Sequence, residues 1–204
     1  MNRLHTSSTI TVLALDSQAY PMHPKTLYSL FTQQMDDWEL FIITDGLSDP
    51  IEEITRRAND SRITVLSGHT SHLLELWNVA LQQASGDFIT YLSSGLVYFP
   101  THLQTLTQSL LDHDDVVVTY ADKETNDPGY RLHPGKLMHH KFEDLLLDTT
   151  HENPFVNYWE QLHAKGAFAR IANTTWNYVN DYDRQAFPIH SLFSVEEEPT
   201  DLTN

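Results

Sequence analysis

Residues 10–34 carry the sequence ITVLALDSQAYPMHPKTLYSLFTQQ, and residues 38–50 carry WELFIITDGLSDP. The first segment joins an apolar run, ITVLAL, to a stretch that begins at Pro24 and has apolar residues at helical spacing. Proline is favoured in a first helical turn, which supports a helix that begins there. The second segment is another apolar run closed by the turn signal Asp45-Gly46. Together the two segments predict a strand, a helix and a second strand, the unit from which parallel sheets are built.

The same alternation continues to about residue 121. Apolar runs predict further strands at residues 62–66, 88–92 and 116–120. Helical spacing predicts a helix capped by Asp49 that runs to Arg57, a helix over residues 71–84, and a helix from Pro100 to near His113. Strands that alternate with helices in this way are typical of an α/β fold with a mostly parallel sheet.

Beyond Ala121 the pattern changes. Residues 123–134 are rich in turn formers, residues 135–148 and 154–165 have the spacing of two amphipathic helices, and residues 168–171 and 175–179 have the character of short strands. We therefore expect one domain with an α/β half at residues 1–122 and a smaller, mostly helical half at residues 123–194. An acidic tail at residues 195–204 is expected to be disordered.

The charge balance excludes several classes of partner. The chain has 28 acidic and 12 basic residues among its 204, a formal net charge of −16. Such a chain repels nucleic-acid backbones and anionic membrane surfaces, so neither is expected as a partner. The same charge opposes a diphosphate ligand unless a cation or a cluster of backbone N–H groups offsets it.

The sequence also bears on the compartment. It contains no cysteine, so no disulfide can form, and this fits a reducing environment. No stretch approaches the roughly 20 apolar residues that a membrane span needs, and no signal peptide precedes Ile10. We expect a cytoplasmic protein without a transmembrane segment.

Polar residues follow three of the predicted strands. Asp16 follows the first strand, Asp45 follows the second, and Ser93 follows the fourth. Parallel strands end at the same edge of a sheet, and open α/β sheets bind their ligands at that edge. The three loops are therefore the first place to expect a binding site.

Five collinear segments resemble the family 2 glycosyltransferases, which have the GT-A fold and invert the anomeric carbon. These segments are residues 10–34, 38–50, WNVALQQASGDFITYL at 77–92, VYFPTHL at 97–103 and VVVTYADKETNDPG at 116–129, with a weaker match at 159–171. The resemblance implies a hexosyltransferase-type enzyme that moves a sugar from a nucleotide-diphospho-sugar to an unidentified acceptor, such as a cell-surface polysaccharide. Residues 123–194 then form the acceptor side.

The resemblance also implies where the nucleotide binds. It points to Ala14, Asp16, Thr44 and Asp45 beside the nucleotide, to Asn78 on the neighbouring helix, and to Ser93 and Ser94. A carboxylate in this position accepts a hydrogen bond from the N3–H group of uracil. The family has two acids in the turn, and here Thr44 replaces the first. The alternative for Asp45-Gly46 is a plain turn that binds nothing.

The acidic motif that holds Mn²⁺ or Mg²⁺ in this family is missing. After the fourth strand the family typically has Leu-Asp-x-Asp-Asp, because hard cations require carboxylate oxygens. This chain has LSSGL at residues 92–96, so we assign no metal ligand. Between Gly68 and Leu92, only His69 and His72 can supply positive charge, and only at acid pH.

The catalytic base is the least defined part of the prediction. An inverting transfer needs a carboxylate that deprotonates the acceptor hydroxyl. By the resemblance, Glu152 is the candidate, and the alternative is a solvated acid at a helix start. Two functions stay open: a glycosyltransferase that works without the usual metal, or an inactive relative that binds a sugar, a nucleotide or a partner protein. A homo-oligomer that completes the cleft is also compatible with the short second half.

Overall fold

The computed structural model describes residues 9–121 and 137–171, together with the backbone of 176–178 and 200–201. The strands are β1 Ile10–Leu15, β2 Trp38–Thr44, β3 Ile63–Ser67, β4 Phe88–Leu92, β5 Leu96–Tyr98, β6 Val116–Ala121, β7 Leu137–His140, β8 Ala167–Ile171, β9 Trp176–Tyr178 and β10 Thr200–Asp201. The helices are α1 Pro24–Phe31, α2 Asp49–Ala58, α3 Leu73–Gln83, α4 His102–Asp112 and α5 Pro154–His163, and a short 3-10 helix covers Thr70–His72.

The main sheet has eight strands in the order β10-β8-β6-β7-β4-β1-β2-β3. All its pairings are parallel except those of β7, which is antiparallel to both β4 and β6. A second sheet pairs β5 with β9. The mostly parallel α/β fold predicted from the sequence is therefore confirmed.

Strand β1 lies at the centre of the site-bearing part of the sheet. Ile10 is aligned with Trp38 of β2 on one side and with Phe88 of β4 on the other. Because β1 to β4 are parallel, the segments that follow them all leave from one side, which we call the carboxyl edge. The loops singled out in the sequence start there.

Helices cover both faces of the sheet. Side chains alternate along a strand, so Val12 and Ala14 pack on one face and Leu13 packs on the other. Helices α1, α2 and α4 contribute to the first cluster, and α3 and α5 contribute to the second. The apolar residues that alternate along the strands and repeat along the helices thus form two separate hydrophobic cores, one on each face of the sheet.

Helix α5 runs opposite to the strands. It precedes β8, and β8 is parallel to β6. The end of α5 must therefore lie near the amino edge of the sheet, and its beginning near the carboxyl edge. This direction brings the segment before Pro154 toward the candidate site.

Two local predictions were wrong. Residues 135–148 do not form a helix: Leu137–His140 is strand β7, and the segment from there to α5 is irregular. Leu137, Met138 and His139 are all buried, so this short strand lacks the alternation that would distinguish it from a helix. The cap of α2 is Ser48 instead of Asp49, which is already the first helical residue.

The other predicted strands and helices that lie in the described residues agree with the structure to within a few residues, whereas strand β5 was not predicted. Helix α3 begins two residues later than expected because Thr70–His72 forms a separate 3-10 helix. The turn-rich segment 123–134 lies outside the described residues, and of the tail 195–204 only β10 is described. The division at residue 122 stays a prediction, although β7 and β8 belong to the same sheet as β1 to β4. Among the described residues, no helix is long and apolar enough to cross a membrane.

Candidate functional site

Asp16 joins the loop after β1 to the loop after β2. Its side chain is fully buried. Asp16 Oδ1 accepts a hydrogen bond from Met22 N at 2.7 Å, and Oδ2 accepts one from Ser48 N at 2.8 Å. The Ser48 hydroxyl lies 3.1 Å from both carboxylate oxygens. The carboxylate therefore fixes the shape of this edge, and its contact with a nucleotide stays a prediction.

Asp45 joins three loops. Asp45 Oδ1 accepts a hydrogen bond from Gln18 N at 3.0 Å, in the loop after β1. Asp45 Oδ2 accepts one from Thr70 Oγ1 at 2.6 Å, in the segment after β3. These two bonds, the Thr70 bond first, lower the pKa of the Asp45 carboxyl, so it is ionised. Asp45 therefore connects loops that follow three different strands, which a plain turn does not require.

The turn around Asp45 is closed by its own residues. Thr44 is buried, and its hydroxyl accepts a hydrogen bond from Gly46 N at 2.9 Å. Gly46 has a φ of 146°, a conformation that favours glycine. Ala14 is fully buried at the end of β1 and aligned with Ile42 of β2. Thr44 thus replaces the family's first acid with a group that stabilises the turn.

The turn after β4 contacts the start of α1. Ser94 Oγ donates to Pro21 O and accepts from His23 N, both at 3.0 Å. Gly95 N donates to the Thr26 hydroxyl at 3.1 Å. The residues that replace the acidic motif are therefore bonded to the loop after β1, and this loop also carries Asp16.

The residues at this turn do not fit a divalent cation. Mn²⁺ and Mg²⁺ prefer carboxylate oxygens, and residues 92–96 have none. Ser93 is buried, and the Ser94 hydroxyl is engaged with the α1 segment. Across the described ranges there is no group of three or more His, Cys, Asp or Glu side chains arranged to hold a metal. We derive no catalytic step through a metal.

Asn78 binds protein backbone with both ends of its amide. Asn78 Nδ2 donates to Leu147 O at 2.8 Å, and Asn78 Oδ1 accepts from Leu147 N at 2.8 Å. This pair of bonds fixes the irregular segment before α5 to helix α3. The nucleotide contact predicted for Asn78 stays a prediction, and the geometry gives the residue a positioning role that the sequence did not indicate.

Glu152 lies in the segment just before α5. Its side chain is exposed. Phe155, in the first turn of α5, packs edge-on against Trp77 with ring centroids 5.5 Å apart, and Trp77 stacks on Tyr91 of β4 at 5.8 Å. These contacts place the start of α5 beside the end of β4. Glu152 therefore lies toward the carboxyl edge of the sheet, where the candidate site is. Its role as the catalytic base stays a prediction.

A buried polar network below this edge was missed in the sequence. His139 Nδ1 donates to His140 O at 2.6 Å, so His139 Nε2 accepts the Tyr91 hydroxyl at 2.7 Å. The Tyr158 hydroxyl lies 3.4 Å from both partners. Complete burial lowers the pKa of His139 to about 4, so the ring is neutral. The network links β4, β7 and α5, and nothing in the local sequence pairs these residues.

Comparison with known proteins supplies the context for this geometry. The family model described as "Glycosyl transferase family 2" matches residues 18–160. The putative glycosyltransferase EpsH of Bacillus subtilis is 28% identical over 168 residues, which are 81% of this chain but only 44% of EpsH. The chain thus spans less than half the length of that relative.

Solved structures show the same fold at low sequence identity. S. aureus TarS 1-349 in complex with UDP-GlcNAc has a TM-score of 0.66 at 13% identity, over 87% of this chain and 60% of TarS. The mannosyltransferase PcManGT from Pyrobaculum calidifontis, in complex with GDP-Man and Mn²⁺, has a TM-score of 0.65 at 16% identity, over 89% of this chain and 59% of PcManGT. These likenesses confirm the GT-A fold that the sequence resemblance implied.

Proposed function

The chain belongs to glycosyl transferase family 2, and from that premise we propose that it binds a nucleotide-diphospho-sugar at the carboxyl edge and transfers the sugar to an acceptor. One observation carries the proposal: hydrogen bonds from Asp16, Asp45 and Ser94 join the loops after β1, β2, β3 and β4 into one continuous edge. A ligand that spans a base, a diphosphate and a sugar needs several loops held in a fixed relation.

We assign the base-side contact to Asp45 in preference to Asp16. Each carboxylate oxygen accepts about two hydrogen bonds, and each Asp45 oxygen has one protein donor. Asp45 is partly exposed and retains room for an N–H group of a base. Asp16 is buried with two amides and a hydroxyl around it, so it positions the loop after β1. The contact of Ala14 with the nucleotide stays a prediction.

The acceptor side is assigned to the start of α5. Glu152 is the proposed general base, which removes the proton of the acceptor hydroxyl while the nucleoside diphosphate leaves. Asn78 and the Tyr91-His139-Tyr158 network hold that segment and helix against β4.

The donor is proposed from the neighbours. The TarS structure contains UDP-GlcNAc and the PcManGT structure contains GDP-Man and Mn²⁺, so uracil and guanine nucleotides are the first to test. A cell-surface polysaccharide or glycoconjugate as acceptor, a homo-oligomer and a cytoplasmic setting also stay proposals.

The test is donor binding and hydrolysis by the chain and by Asp45→Ala. Unfolding temperature is measured with UDP-, GDP- and dTDP-sugars, because a ligand at 100 times its Kd adds about 2.7 kcal/mol to stability. We expect one donor to raise the temperature, and Asp45→Ala to remove the increase. Glu53→Ala, an acid on the exposed side of α2, is the matched control and keeps it.

Donor turnover separates the two functional classes. Slow release of nucleoside diphosphate that is abolished in Asp45→Ala supports a transferase. Binding without release over hours supports the inactive, ligand-binding alternative. If none of the three donors binds, the proposed function is overturned.

A further inference from the structure

The proposed donor poses a problem of charge. A nucleoside diphosphate brings at least two negative charges to an edge that already holds the carboxylates of Asp16 and Asp45. The whole chain has a net charge of −16, so its general field also opposes the ligand. Since the turn after β4 does not fit a divalent cation, a basic side chain or a cluster of backbone N–H groups must offset the phosphates.

Most basic side chains of the described residues form ion pairs with carboxylates. Ion pairs join Arg56 and Arg57 to Glu53, Arg62 to Asp60, Lys141 to Glu143, and Lys165 to Asp144. Three of these basic residues also lie at the amino edge of the sheet, opposite the candidate site. Arg62 precedes β3, Lys165 precedes β8, and Lys141 follows the antiparallel strand β7.

Lys25 differs from these basic residues both in its ion pairing and in its position relative to the sheet. Its side chain is exposed, and no carboxylate within residues 9–121 or 137–171 forms an ion pair with it. It lies in the first turn of α1, which begins at the carboxyl edge because α1 follows β1. Side chains on a helix lean toward its N-terminus, so the Lys25 chain leans toward that edge.

Hydrogen bonds place Lys25 beside the turn that replaces the acidic motif. Its neighbours His23 and Thr26 bond Ser94 and Gly95 at 3.0 and 3.1 Å. Lys25 N itself donates to His23 Nδ1 at 3.1 Å. Burial and, to a smaller extent, the Lys25 charge lower the pKa of His23.

The inference rests on the proposed function and deepens it. We propose that the Lys25 ammonium group binds the diphosphate of the donor nucleotide beside the Ser93-Ser94-Gly95 turn, and that it offsets the phosphate charge there without a divalent cation. The ligand class is a nucleoside diphosphate, and a nucleoside without phosphates gains nothing from Lys25.

Titration of Lys25→Gln with UDP and uridine, and with GDP and guanosine, tests the proposal. One set of titrations contains EDTA and a second set contains Mn²⁺ without EDTA, and unfolding midpoints verify that each variant is folded. We expect the diphosphate that the unaltered chain binds to lose about tenfold in affinity, the usual scale for one charged contact, while its nucleoside binds as before. The control Lys165→Gln removes an ion-paired lysine at the far edge and leaves both affinities unchanged.

Two outcomes overturn the Lys25 assignment alone: equal UDP or GDP affinity in Lys25→Gln and the unaltered chain, or nucleotide binding that occurs only with added Mn²⁺. If the unaltered chain binds neither diphosphate with or without Mn²⁺, the proposed function fails together with the assignment.

Discussion

Two aspartates follow adjacent parallel strands, and the protein uses them differently. Asp16 is buried and bonded to Met22 N and to the amide and hydroxyl of Ser48. Asp45 is partly exposed and accepts one hydrogen bond on each oxygen. Strand ends are visible in a sequence, so the positions of both residues could be predicted. Their different roles could not be predicted, because these depend on hydrogen-bond donors from other loops.

The distance between partners along the chain limits prediction at the residue level. Asn78 and Leu147 are 69 positions apart, and Tyr91 and His139 are 48 apart. Neither pair belongs to a periodic pattern, and an asparagine inside a helix is usually explained by local bonds. The sequence therefore indicated Asn78 as part of the site but not the backbone contact that it makes.

A substitution at Glu152 tests the proposed base. Glu152→Gln keeps the size of the side chain and removes its ability to take a proton, so we expect donor turnover to fall by about 100-fold or more. Donor affinity is expected to stay the same, because the residue lies on the acceptor side. Donor hydrolysis is measured beside calorimetric binding.

The matched control for that experiment is Glu160→Gln, an exposed acid within helix α5. It is expected to change neither turnover nor affinity. Unaltered hydrolysis in Glu152→Gln would exclude Glu152 as the base and return it to a solvated acid.

Among the elements, the strands and helices of the first half could be predicted because each has a clear period. Strand β7 could not: its residues Leu137, Met138 and His139 are all buried, and the strand lies between β4 and β6 in the sheet. A strand covered on both faces loses its alternation, and a reversal of direction leaves no trace in the sequence. Because β7 was not recognised as a strand, a helix was wrongly predicted over residues 135–148.

The segment between β7 and α5 depends on one side chain of α3. Asn78→Ala removes both bonds to Leu147 and leaves its buried backbone groups unsatisfied, so we expect a loss of about 1–3 kcal/mol in the free energy of unfolding. Urea unfolding measures the loss. Gln82→Ala, at an exposed position of α3, is the control and is expected to have little effect.

Donor binding by the same variant separates two roles for Asn78. If the residue only positions the segment, donor affinity measured well below the unfolding temperature is unchanged. A loss of affinity without a loss of stability would instead support the nucleotide contact predicted from the sequence.

At the level of the whole molecule, the neutral His139 makes stability depend on pH. Burial lowers its pKa to about 4 in the folded state, against 6.5 for an exposed ring. Between these values the unfolded chain binds more protons, so the contribution of His139 is complete above pH 6.5 and declines as the pH falls to 4. The linkage corresponds to about 3 kcal/mol.

Urea unfolding at several pH values between 7 and 4 measures this decline. His139→Gln is expected to be less stable at pH 7 and to lose less stability on acidification. His72→Gln, at an exposed position, should parallel the unaltered chain. Parallel curves for His139→Gln and the unaltered chain would show that carboxylates alone account for acid unfolding.

The placement of charge is also a property of the whole molecule. Ion pairs at Arg62, Lys141 and Lys165 neutralise bases near the amino edge, whereas Lys25 stands at the carboxyl edge without such a pair among the described residues. The net charge and the missing acidic motif are visible in the sequence, and together they predict electrostatic repulsion of a diphosphate. Only the three-dimensional arrangement indicated which lysine can resolve it.

The Ser93-Ser94-Gly95 turn is a poor position for substitutions to aspartate. Gly95 has a φ of 83°, so an aspartate there would incur backbone strain, and an aspartate at the buried position 93 would need desolvation. Single substitutions to carboxylates at these two positions therefore each carry a cost in stability before any cation is bound. A metal-binding variant of this turn would need a change in its backbone as well as new side chains.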